Sequence, residues 1–216
     1  MTEAAAYLLM RQTLSKWVMF QDSEWALVQG VFRFRRVSKS EILLRPGQMP
    51  KHLLFVAEGL LRYYYGAGES GESNKLFLNE GMFSGPLTGC TLIPEEGCGV
   101  EALEAGSLLV AETRSFNALY DTHPVFDRLG RKLGEWWLNH KEARTRSFQR
   151  LDASERYLDF IRDHGDLAQR VPQYHIASYL GITEVSLSRI RRDLARAIAP
   201  GSRASARPAA PAFQPR

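Results

Sequence analysis

The sequence predicts an α+β protein: an antiparallel β-roll, then a long helix, then a small all-helical unit. Three observations carry that prediction. Residues 37–112 break into short β-prone runs at regular glycine and proline stops. Residues 114–150 place apolar side chains at steps of three and four, and residues 172–194 spell two helices joined at a glycine. A net charge of +4 and 44% hydrophobic residues describe a chain that can bury an ordinary core.

The first 34 residues read as mostly helical, because Leu8, Leu9, Met10, Leu14, Trp17, Val18, Phe20, Trp25, Val28 and Val31 recur at helical spacing. The β-prone runs are 41–44, 52–57, 60–65, 75–78, 100–103 and 108–112. Their stops include Arg45-Pro46-Gly47, Glu58-Gly59, Glu80-Gly81 and Glu95-Glu96-Gly97. Short strands so regularly interrupted suit a barrel or roll. The expected division is 1–121 for this region with its leading helices, 122–150 for the long helix, 151–199 for the helical unit, and 200–216 for a tail. The tail is mainly Ala, Pro, Ser, Gly and Arg, a composition expected to stay disordered.

On the long helix, Phe126, Leu129, Leu133, Trp136, His140, Ala143 and Ser147 recur in steps of three and four. The first half is a good apolar seam and the second half is weak; the expected dimer contacts are Phe126, Leu129, Leu133, Trp136 and His140. Such a stripe can cover its own subunit or pair two copies of the chain. Trp136 and Trp137 together offer apolar surface around more of the helix than one face needs, which favours the dimer. Within that seam, His140 would either disfavour pairing when protonated or fix its register. Next, Asp152-Ala153-Ser154-Glu155 has the spacing of a capping box. It predicts a helix that buries Tyr157, Leu158, Phe160 and Ile161.

Residues 171–194 read as a helix-turn-helix. Pro172 fits a first helical turn, Ile176, Ala177 and Leu180 form an inner face, and Gly181 ends the helix. Ile182 plugs the turn and Thr183 caps a second helix over 183–196, with Leu187, Ile190 and Leu194 pointing inward. The opposite face then carries Glu184, Ser186, Ser188, Arg189 and Arg192. From Ile182 onward the charges are Arg189, Arg191, Arg192, Arg196, Arg203, Arg207 and Arg216 against Glu184 and Asp193. A single helix fits the major groove and meets base edges with its N-terminal residues. Arg189 can fork onto a guanine, and Glu184 can accept from a cytosine amine. Thr183 or Ser186 can bond base or phosphate, Ser188 belongs to the same DNA-facing set, and Arg191 and Arg192 suit the DNA backbone.

Taken in order, several elements resemble the cyclic-AMP receptor and fumarate–nitrate regulator (Crp/Fnr) family. They are Leu44-Arg45-Pro46-Gly47, the run from Leu54 to Arg62, Val100-Glu101-Ala102-Leu103-Glu104, Ser154-Glu155-Arg156, and Gly181-Ile182-Thr183 through Ser188-Arg189-Ile190. The likeness spans roughly 27–196. It implies a cyclic-nucleotide-binding-type β-roll, a dimerisation helix, and a winged helix-turn-helix acting as a homodimer on palindromic promoter DNA. RNA polymerase stands as a further candidate partner. Members that bind cyclic AMP carry a Glu for the ribose and an Arg for the cyclic phosphate. Here Pro86 and Glu96 stand at those places, within a degenerate pocket of Gly85, Pro86, Glu96, Gly97 and Cys98. Proline has no side-chain acceptor and a carboxylate repels phosphate, so tight cyclic-AMP binding is not expected. Glu184 and Val185 replace the family's frequent Arg-Glu pair, so the preferred DNA site should differ. No clear hairpin follows the recognition helix, which implies a reduced wing.

Other chemistries find less support. Cys90 and Cys98 are too few for an iron–sulfur cluster, although they leave a redox reading open. Nothing singles out His52, His123 or His140 as a haem ligand. A cupin-like metalloenzyme needs clustered ligands, and the β region offers only His52. No catalytic motif, metal site or required cofactor is read. No secretion signal or membrane-length apolar run is seen, so the expected location is the cytoplasm.

Overall fold

A computed structural model describes residues 1–68, 71–84 and 98–198 of the chain. By compactness it divides into two units after His140. The first begins with α1 (Glu3–Leu14) and α2 (Asp22–Val31). Eight strands follow among the described residues: β1 (Phe32–Val37), β2 (Ile42–Leu44), β3 (His52–Glu58), β4 (Leu61–Gly68), β5 (Gly71–Leu78), β6 (Phe83–Ser84), β7 (Cys98–Ala102) and β8 (Gly106–Glu112). Then come α3 (Thr113–Asn117), a 3-10 turn at Ala118–Asp121, and α4 (Pro124–Arg150), whose last turns belong to the second unit.

The strands form two four-stranded antiparallel sheets, ordered β1-β8-β3-β6 and β2-β7-β4-β5. Each of the six runs expected from the sequence contains a strand. Two further strands were not foreseen. The sequence reads 32–34 as the end of the helical N-terminus and begins the β region only at Val37, with no strand before 41. Instead Phe32 and Val37 are buried while Arg33, Arg35 and Arg36 are exposed, and the segment pairs with β8 from Phe32↔Ala111 to Val37↔Gly106. The other is β6, only two residues long, whose Phe83 ring sits 4.7 Å from that of Phe55.

The first sheet is covered on both faces. Along β3, Leu53, Phe55 and Ala57 join a core with α1, α2, α3 and α4, while Leu54 and Val56 face the core shared with the second sheet. This follows from alternation along a strand, and it explains why β3 reads as an unbroken apolar run. The two-sheet core also holds Leu61, Leu78, Val100, Ala102 and Leu108. Residues alternating with these on the second sheet carry a polar cluster. The Arg62 guanidinium, 7% exposed, donates to Glu72 at 2.6 Å, to Glu101 at 2.7 Å and to Asn74 at 3.0 Å. It also stacks on Tyr64 at 4.2 Å. Two carboxylates, an amide and a ring thus compensate its lost hydration.

Between β7 and β8 the chain closes tightly, and a Cβ at position 106 would lie 2.1 Å from the Glu58 carbonyl oxygen. Only glycine fits there.

The seam assigned to a dimer needs correcting. Phe126, Leu129 and Leu133 are fully buried within their own subunit, packed among Met10, Trp25, Phe116 and Leu119. The helices α1 and α2 supply the surface that covers them, so they have no area left for a second copy. Farther along, Trp136 is half-buried and stacks on His140 at 4.1 Å, and Trp137 packs on the two-sheet core. Leu129→Ala is therefore expected to lower the unfolding free energy by about 2–5 kcal/mol. Denaturant titration at several protein concentrations checks this, since an intrasubunit contact gives a loss independent of concentration.

Candidate nucleic-acid interface

Described by itself, the second unit is helical: the end of α4, then α5 (Ala153–Asp163), α6 (Leu167–Arg170), α7 (Gln173–Leu180) and α8 (Glu184–Ile198). The capping box opens α5 as its sequence requires. The Asp152 carboxylate accepts from the backbone N–H of Ser154 at 2.8 Å and Glu155 at 2.9 Å, and Glu155 accepts from the Asp152 N–H at 3.0 Å. Tyr157 and Phe160 are buried in line with expectation. Leu158 and Ile161 are not; they lie one residue round the helix and are exposed. The one-turn α6 was not foreseen. Leu167 anchors it, at 1% exposure.

In α7, Pro172 occupies the cap position rather than the first turn. Ile176, Ala177 and Leu180 are buried, and so is His175, whose ring lies 4.1 Å from that of Tyr174. The helix ends at Gly181 with φ +68°, its N–H donating to Ser178 while the Ile182 N–H donates to Ala177. This pair of bonds is the Schellman arrangement, which needs a left-handed residue at the corner. Two arginines finish the job from other helices. Arg144 on α4 donates to the Tyr179 carbonyl at 3.0 Å and stacks on the rings of Tyr179 and Phe148. Arg156 on α5 donates to the Leu180 carbonyl at 3.2 Å and to the Leu151 carbonyl at 2.8 Å. Cations at a helix C-terminus also complement its dipole. Arg156 belongs to a motif noted in the sequence, whereas nothing local singles out Arg144.

Thr183 caps α8, its Oγ1 accepting from the Ser186 N–H at 3.1 Å. Leu187 is 1% exposed and Ile190 and Leu194 are half-buried, which pins the inner face. On the outer side Glu184, Ser188, Arg189, Arg191 and Arg192 are all exposed. Ser186 is half-buried and its hydroxyl lies 2.9 Å from that of Thr183, so these two serve the cap. Sequence reasoning passed over Val185 as a contributor to this face, although it is 61% exposed. A shallow groove runs along it, bordered by Gln173, Glu184, Val185, Ser188, Arg189 and Arg192.

Of the expected ligand pocket, Gly85, Pro86, Glu96 and Gly97 lie outside the described residues, as do Cys90, the tail and any wing after Ile198. Cys98 is half-buried at the start of β7, and Lys75 Nζ donates to its Sγ at 3.4 Å. Burial holds the nearby Tyr63 phenol well above its ordinary range. His52 is exposed on β3, His123 pairs with Glu24 at 3.0 Å, and His140 Nδ1 lies 3.0 Å from the Trp136 carbonyl oxygen. Among the described residues no group of three or more His, Cys, Asp or Glu is placed to hold a metal ion, and no helix is long and apolar enough to cross a membrane.

No protein-family model matches the sequence, and no curated protein matches it either. Solved structures do. FixK2 from Bradyrhizobium japonicum superposes with a TM-score of 0.67 at 19% identity, over 77% of this chain and 85% of that one. A transcriptional regulator of the crp/fnr family from Eubacterium rectale gives 0.65 at 14% identity, over 82% and 84%. The c-di-GMP-responsive global regulator CLP of Xanthomonas campestris gives 0.63 at 14% identity, over 82% and 92%. The likeness is one of fold.

The cap and corner make a local prediction. Thr183→Ala is expected to cost about 1 kcal/mol of stability and Thr183→Ser little, because only the former loses the side-chain acceptor. Thermal melts of the two variants followed by circular dichroism distinguish them.

Proposed function

From a fold shared with regulators of the Crp/Fnr type, we propose that this chain is a sequence-specific DNA-binding transcriptional regulator. It acts in the cytoplasm as a homodimer on palindromic promoter DNA, with RNA polymerase a further candidate partner. The observation that carries the reading is α8 itself. Its apolar stripe is committed to α7, its start is capped, and its opposite stripe presents Glu184, Ser188, Arg189 and Arg192 to solvent. A helix so mounted can enter a major groove and read base edges from its first turns.

In that pose Arg189 forks onto the O6 and N7 acceptors of a guanine, and Glu184 accepts from a cytosine amine. Thr183 and Ser186 reach base or phosphate after exchanging their mutual contact. Arg191 and Arg192 neutralise phosphates. Two copies would set their recognition helices one DNA turn apart, roughly 34 Å. With Phe126, Leu129 and Leu133 committed inside the subunit, pairing along α4 would use what it leaves outside, where Leu138 is 65% exposed. An effector would act by shifting an equilibrium between pairings. Cyclic AMP is not the expected effector, because Pro86 and Glu96 replace the side chains that would hold it.

Gel-shift titration against the gene's upstream region tests this. Binding is expected at two chains per duplex, to weaken steeply with salt and to be unchanged by cyclic AMP. Arg189→Ala should weaken binding to the specific site by about 1–3 kcal/mol and relax the preference at the guanine position. Arg191→Ala should weaken binding to all sequences alike and flatten the salt dependence by about one phosphate. Wild-type protein that shows no preference over random DNA would sink the proposal.

A further inference from the structure

We propose that Val185 reads the 5-methyl group of a thymine, so that part of the sequence preference is apolar. The inference rests on the DNA-binding reading and specifies what that surface recognises. Val185 is the second residue of α8 and is 61% exposed. It heads the outward stripe, with Ser188 and Arg189 one turn on and Arg192 two turns on, and it borders the groove shared with Gln173 and Glu184. An isopropyl group therefore stands in water at the N-terminal end of a polar face whose later turns are basic.

Neither folding nor helix formation accounts for a valine here. It is not part of a core, and it is a poorer helix former than alanine, glutamate or arginine. Its branched Cβ keeps one favoured rotamer in a helix, so its methyl groups are presented rigidly. The exposed Arg189, Arg191 and Arg192 around it favour a polyanion as the occupant over an apolar protein surface. Among base edges in the major groove, thymine alone offers a methyl group, and small apolar side chains are its natural contact.

Geometry also restricts where the thymine lies. Four residues of helix rise separate Val185 from Arg189 by about 6 Å along the axis. Base pairs are spaced by about 3.4 Å. The thymine should then fall within about two base pairs of the guanine taken by Arg189 in each half-site. Glu184, adjacent in sequence, disfavours a base edge bearing only acceptors on its side, which adds discrimination by repulsion.

The experiment begins with selection of bound duplexes from a random-sequence DNA library by the full-length protein. Each thymidine of the selected site is then replaced singly by deoxyuridine, which removes the methyl group and nothing else. Affinities are measured at fixed salt for the wild type and for Val185→Ser. One thymidine per half-site should, on replacement, weaken wild-type binding about four-fold, the equivalent of one buried methyl group. Val185→Ser should bind both forms of that site equally, with an unchanged circular dichroism spectrum. If every replacement is silent in the wild type, or if the penalty persists in Val185→Ser, the inference falls while an enriched consensus still upholds DNA binding. If the library yields no consensus, the DNA-binding reading fails and the inference with it.

Discussion

The direction in which α8 leaves α7 is settled at Gly181, where the chain reverses with φ +68° while the last carbonyls of α7 still need donors. Two backbone N–H groups and the guanidinium groups of Arg144 and Arg156 supply them. With the corner satisfied, Leu187, Ile190 and Leu194 pack inward, and the outward set is whatever lies opposite. Shifting the helix by one residue would turn it by about 100° and carry Arg189 and Val185 off the exposed stripe. A backbone requirement at one glycine thus decides which side chains are available for recognition.

The first unit shows the same dependence of one surface on another. The early turns of α4 carry an apolar stripe as regular as that of a pairing helix, yet α1, α2 and α3 already provide the surface that takes it up. Amphipathicity states that a helix must be covered on one side; it does not state by what. Here the intrasubunit partners win because Met10, Trp25 and Phe116 fill the space around Phe126, Leu129 and Leu133 to full burial.

What was legible in the sequence was what local chemistry decides. The capping box at Asp152, the cap at Thr183 and the turn at Gly181 each depend on a few adjacent residues, and each forms where the spacing places it. The six strand runs were legible for a related reason, since glycine and proline stops mark their ends. Illegible features depend on distant partners. Arg144 and Arg156 find their carbonyls 35 and 24 residues away, so no spacing rule could have found them. Leu158 and Ile161 look as apolar as Tyr157 and Phe160, and which of them is buried depends on the helices that pack around α5, with α6 and α7 among them. As for β1, its arginines masked an alternation that becomes plain once β8 lies alongside.

The strand β3 is enclosed on both sides, and this changes how its alignment is protected. In a sheet with one wet face, sliding a strand by a single position drives oily groups into water and polar ones inside. No such penalty guards residues 53–57, because both environments are greasy. What distinguishes them is bulk: Leu53, Phe55 and Ala57 meet the helices, while Leu54 and Val56 meet the other sheet. A slip would press the Phe55 ring into space shaped for an aliphatic group and leave a void beside Phe83. In this strand shape, rather than polarity, keeps the thread from shifting.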